Sequence, residues 1–150
     1  MTARLTKSLG VLLWVVALAV GPSAARDETI DQLITRADAA QPGQQPDLYL
    51  EVADRELKAA IDSYKANRPE DGRADLEKIV TYADKAHASA IHSGKRLPHT
   101  EIKIRRISTR LRDLKLNVEV DDQSLVQAAI DKLEDFRTDI LKSLFPKGHD

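Results

Sequence analysis

Residues 100–116 read TEIKIRRISTRLRDLKL. Within them Ile104, Ile107, Leu111 and Leu114 recur at intervals of three, four and three, the spacing of one face of an α-helix, while charged residues fill the positions between. This stretch predicts an amphipathic helix starting near Pro98 or Thr100 and ending near Leu116. The same period appears on either side of it. Asp121 is placed to cap a fifth helix reaching about Leu144, whose stripe is Val126, Ala129, Leu133, Phe136 and Ile140, and Val120 stands where a hydrophobic staple to Leu125 would form.

Upstream, Leu76, Ile79, Val80, Ala83, Ala86, Ala90 and Ile91 define a third helix that begins between Pro69 and Ala74 and ends before Gly94, a residue free to take the left-handed conformation. A second helix runs from an Asp47 cap to about Ala66, with Tyr49, Val52, Ala53, Leu57, Ala60, Ile61 and Tyr64 on one face. A short first helix carries Ile30, Leu33, Ile34 and Ala37, and Thr29 with Gln32 has the spacing of a capping box. No stretch alternates long enough to make a sheet. The class predicted is all-α, and short connections favour an antiparallel up-and-down bundle of four main helices plus the short N-terminal helix, with stacked helical hairpins as the rival. The helix starts are irregularly spaced, against the fixed period of a solenoid array. The expected domain covers residues 26–145, followed by a polar tail, 146–150.

Residues 1–25 differ in kind. Arg4 and Lys7 precede an apolar run from Leu9 to Val20; Gly21 and Pro22 break it, and Ser23-Ala24-Ala25 offers small side chains to a signal peptidase. The run spans about 18 Å as a helix, short of the ~30 Å hydrocarbon core, so a cleaved signal peptide is expected in place of a membrane anchor. The processed chain is expected to be exported, either periplasmic or secreted, with cleavage after Ala25. It would lose Met1 and Trp14, the single Met and Trp of the sequence.

The chain has 23 Lys and Arg against 24 Asp and Glu, and no Cys. This balance excludes a strongly basic nucleic-acid binder or a polyacidic tail protein, and the missing thiols exclude a disulfide scaffold and a thiolate metal site. Charge is nonetheless unevenly spread. Residues 95–116 hold Lys95, Arg96, Lys103, Arg105, Arg106, Arg110, Arg112 and Lys115 against only Glu101 and Asp113. Lys103, Arg105, Arg106, Arg110, Arg112 and Lys115 are therefore the candidate binding residues of a basic stripe. Its acidic partner is expected either inside the molecule, on the fifth helix (Asp121, Asp122, Asp131, Glu134, Asp135, Asp139), or outside it, as an anionic lipid headgroup, a cell-wall polymer or an acidic protein surface.

Catalytic patterns are missing from the sequence: there is no nucleophile elbow and no glycine-rich phosphate loop, and no motif for covalent haem attachment is present. Asp84 and His87 share a helix face at a spacing that metal ligands use, without the further ligands that a closed site needs. The expectation is an exported, non-catalytic helical protein that needs no cofactor and binds no nucleic acid, acting as a scaffold, adaptor or chaperone-like binder of another protein. An anionic-surface binder using residues 98–116 and, further off, a metal or cofactor carrier are the alternatives.

Overall fold

The computed structural model describes residues 27–146. Five α-helices follow one another: α1 (Ile30–Ala39), α2 (Gln45–Lys65), α3 (Pro69–Ser93), α4 (Leu97–Lys115) and α5 (Val120–Leu144), with no strand among the described residues. The chain is all-α and forms a helical bundle. The proposed export signal lies outside the described residues, as does nearly all of the C-terminal tail.

Local signals act at several helix ends. The Thr29 hydroxyl accepts from the Gln32 N–H at 3.2 Å while the Thr29 N–H donates to the Gln32 side chain at 3.0 Å, closing the capping box. Gly94 ends α3 with φ +64°, in the left-handed region. Two expected starts are corrected. α2 begins at Gln45 with Pro46 in its first turn, so Asp47 lies inside the helix and faces Arg96 and His99 at 3.5 and 3.2 Å instead of capping. In α5 the N-cap position falls to Glu119, which makes Val120 the first helical residue; it is 78% exposed, and no staple to the exposed Leu125 holds it.

Side-chain pairs fix how the helices run. α2 and α3 are antiparallel, joined by Gln45 with Ser89, Glu56 with Lys78 and Ser63 with Asp75. α4 and α5 are antiparallel too, joined by Glu101 with Arg137, Ser108 with Glu134 and Lys115 with Gln127. Between these hairpins the order is reversed: Arg73 meets Asp122 and His87 stacks on Phe136, so α3 and α5 run the same way. Asp47 meets His99 and Asp54 meets Arg110, so α2 and α4 do likewise. Consecutive helices therefore alternate up and down along the chain, and the two hairpins are laid like on like, with α2 beside α4 and α3 beside α5.

The cause lies in α2. It buries Tyr49, Leu50, Val52, Ala53, Glu56, Leu57 and Ala60, more than one stripe, and so packs against α1, α3 and α4 together. A shared core of Leu57, Ile79, Ile104, Leu111 and Leu133 closes between the hairpins. α1 sits on the far side of α2, where Tyr49 donates to Asp38 at 2.8 Å. There the Tyr49 hydroxyl is pushed up to about 12, first by burial and then by its bond to that carboxylate.

Candidate functional site: the groove along α2 and α4

Because α2 and α4 run side by side in the same direction, a groove follows their seam. Arg110 crosses it, bonded to Asp54 at 2.5 Å. On one side of this bridge is a recess of about 530 Å³ whose wall includes Ile61, Tyr64 and Leu114, with Lys65 and Asp113 at the rim. On the other is a recess of about 320 Å³ lined by Leu50 and Ile107, with Lys103 and Arg106 on one lip and Glu51 and Asp54 on the other. Apolar residues thus lie beneath charged ones.

The six basic residues singled out from sequence do not form one stripe. A helix turns about 100° per residue, which places Lys103, Arg106 and Arg110 on the flank beside α2, and Arg105, Arg112 and Lys115 toward the opposite flank, beside α5. Between these flanks lies the buried stripe of Ile104, Ile107, Leu111 and Leu114.

Their pairing is equally divided. Arg110 is held by Asp54, Arg112 by Glu134 at 2.8 Å, and Lys115 donates to Gln127 at 2.7 Å. Arg105 stands 3.9 Å from Glu101, whose Oε1 is already bonded by Arg137 at 2.7 Å. Lys103 and Arg106 have no ion pair or hydrogen bond among the described residues. Of the acidic residues on α5 expected to answer the stripe, Glu134 does so. Asp122 instead bonds Arg73 of α3 at 2.6 Å, and Asp139 faces His87 and Lys142.

Glu134 gathers a network at the α4–α5 seam. Burial works to raise its carboxyl, but hydrogen bonds from Ser108, Arg137 and Arg112 together outweigh burial and hold it below the usual carboxylate range. Glu56, which is buried where Glu134 is half-buried, behaves oppositely: burial raises it, and Lys78 at 3.5 Å only partly offsets the effect. It lies on the α2–α3 seam, away from the groove.

The Asp84–His87 pair does not converge on one point. His87 Nδ1 lies 3.8 Å from Asp84 while Nε2 lies 3.8 Å from Asp139, and the ring stacks on Phe136 at 5.0 Å. Its two nitrogens face different carboxylates, and among the described residues no group of three His, Cys, Asp or Glu is placed to share a metal ion. No helix among the described residues is long and apolar enough to cross a membrane. No protein-family model matches the chain, and no curated protein or solved structure does.

Sequence reasoning named Lys103, Arg106 and Arg110 but missed what they border. Leu50, Ile61 and Tyr64 come from α2, and their place opposite α4 follows from the parallel packing, which no local spacing encodes. The signal that could have found it is Leu50, an apolar residue beside Tyr49 and outside the face assigned to α2.

Proposed function

We propose that this is an exported, non-catalytic scaffold or adaptor, working without a cofactor, that binds another protein along the α2–α4 groove. The observation carrying this reading is the conjunction of apolar lining, Leu50, Ile61, Ile107 and Leu114, with two lip cations, Lys103 and Arg106, that have no partner among the described residues. Cations left unpaired beside apolar area favour an acidic, partly apolar protein segment, because opposite charge sets register and apolar contact supplies affinity. Residues 1–25 serve as the export signal in this reading, and the processed protein works outside the cytoplasm, in the periplasm or secreted. Intact mass and near-UV absorbance of secreted material test that part: cleavage after Ala25 removes Trp14, and an indole signal contradicts it.

Photo-crosslinking tests the groove. A photoreactive residue replacing Ile61 or Lys103 should yield one discrete adduct in the exporting cell, whereas the same residue at Glu77 or Thr81, exposed on α3, should not. Charge reversal of Arg106 should weaken the adduct formed from Ile61. Adducts equal at all four positions, or confined to α3, would falsify the assignment.

A further inference from the structure

A different surface points to a second partner. On α4, Ile102 is 43% exposed and Arg105 has a side chain 55% exposed, and Arg106 is exposed beside them. Three and four residues apart, they share the part of the helix turned away from the core stripe. On α5, Leu141 and Lys142 are exposed and Phe145 is 73% exposed. The register set by Ser108 against Glu134 and Lys115 against Gln127 brings Leu141 level with Glu101 and Ile102 and puts Phe145 at the first turn of α4, with Arg105 and Arg106 about one turn further along α4. Large apolar side chains and cations therefore stand together in solvent there.

The charges at this end cancel only in part. Glu101 is buried and bonded by Arg137, which leaves Arg105, 3.9 Å away, only loosely held, and Arg106 has no partner among the described residues. Asp139 lies 3.4 Å from Lys142 and also faces His87, and Asp47 is engaged by Arg96 and His99. The first turn of α4 contains no acidic residue.

We infer that this end of the α4–α5 hairpin docks the protein on an anionic lipid bilayer, with Phe145 and Ile102 entering the headgroup layer and Arg105, Arg106 and Lys142 facing lipid phosphates. The chemistry is that of a peripheral contact. Juxtaposed apolar and basic side chains bind best where a negative surface overlies an apolar interior, and attraction of this kind weakens with salt. The contact meets the groove only at Arg106, which lines its smaller recess; Ile102, Leu141 and Phe145 do not line it. A protein held here could present its groove to a partner at the membrane surface.

Co-sedimentation with phosphatidylglycerol vesicles, against phosphatidylcholine vesicles, tests the inference on the full chain. Binding should require the anionic lipid and fall with added salt. It should drop by at least about tenfold both in Arg105→Glu/Lys142→Glu and in Ile102→Ser/Phe145→Ser. All substituted residues are exposed, and far-UV circular dichroism with the single variant Phe145→Ser guards against a folding defect. The apolar run Leu9–Val20 is common to every variant, so only a difference between variants reads out this surface. Equal binding to both lipids overturns the inference, as does unchanged binding in either double variant. A soluble polyphosphate bound as tightly as the vesicles, and insensitive to Ile102→Ser/Phe145→Ser, also overturns it.

Discussion

Arg110 of α4 and Asp54 of α2 meet at 2.5 Å across the middle of the groove, tying together two parallel helices. The Arg110 side chain is half-buried and that of Asp54 exposed, so the pair remains open to solvent, contributes about 0–1 kcal/mol and is screened by salt. Arg110→Ala should therefore lower stability by no more than about 1 kcal/mol in denaturant titration while joining the two recesses that the bridge separates. A loss several times larger would mean that Arg110 supports the fold through more than this pair.

The core makes the opposite forecast. Leu111 and Leu133 are fully buried between the hairpins. Truncating either to Ala removes apolar contact and leaves a cavity, at a cost of about 2–5 kcal/mol. Equilibrium unfolding of each variant measures this, and a cost near zero would place these residues outside the core.

These contrasts show which parts of the structure are written locally. The phase of Ile104, Ile107, Leu111 and Leu114, the Thr29 box and the Gly94 stop all depend on residues within about three turns of one another, and all were legible. The parallel pairing of α2 with α4 was not, because it depends on Leu50 finding a neighbour more than fifty residues away in the chain. Nor was the division of the basic run, since which flank is neutralised depends on whether Asp54 or Glu134 arrives opposite. Asp122 shows the limit most plainly. Its spacing suits a partner on α4, yet it bonds Arg73 because α5 also packs along α3.

The acidity of Glu56 ties stability to pH. The residue is 3% exposed, and burial raises its folded pKa above the ordinary 4.5, with Lys78 offsetting only part of the rise. A carboxyl raised on folding binds its proton more tightly in the folded state. Its stabilising contribution is full below pH 4.5 and is lost as the pH rises through the folded value. Glu56→Gln should flatten that decline, so the variant gains on the wild type between acid and neutral pH. Glu134, held low, works in the other direction: its contribution is present above pH 4.5 and disappears as the pH falls through its folded value. Urea titrations of wild type and Glu56→Gln across this range should show the variant's stability rising relative to that of the wild type as the pH rises; a pH-independent difference would contradict the assignment.

Gly72 connects the fold to the groove. It is buried in the first turns of α3, and a Cβ there would lie 2.6, 2.8 and 2.9 Å from three atoms of the Tyr64 ring. In an open helical position, Ala gains about 1 kcal/mol over Gly. Here overpacking of about 1–3 kcal/mol opposes that gain, because a ring wedged between helices cannot yield without moving its own backbone or leaving its site. Tyr64 also walls the larger recess, so the displacement should reach the groove. Gly72→Ala is therefore expected to be neutral to destabilising by about 2 kcal/mol, and to reduce photo-crosslinking from position 61 while leaving vesicle binding intact. Thermal melts, adduct yield and co-sedimentation of this one variant separate the three effects, and a stabilised protein with unchanged crosslinking would show that Tyr64 is free to turn aside.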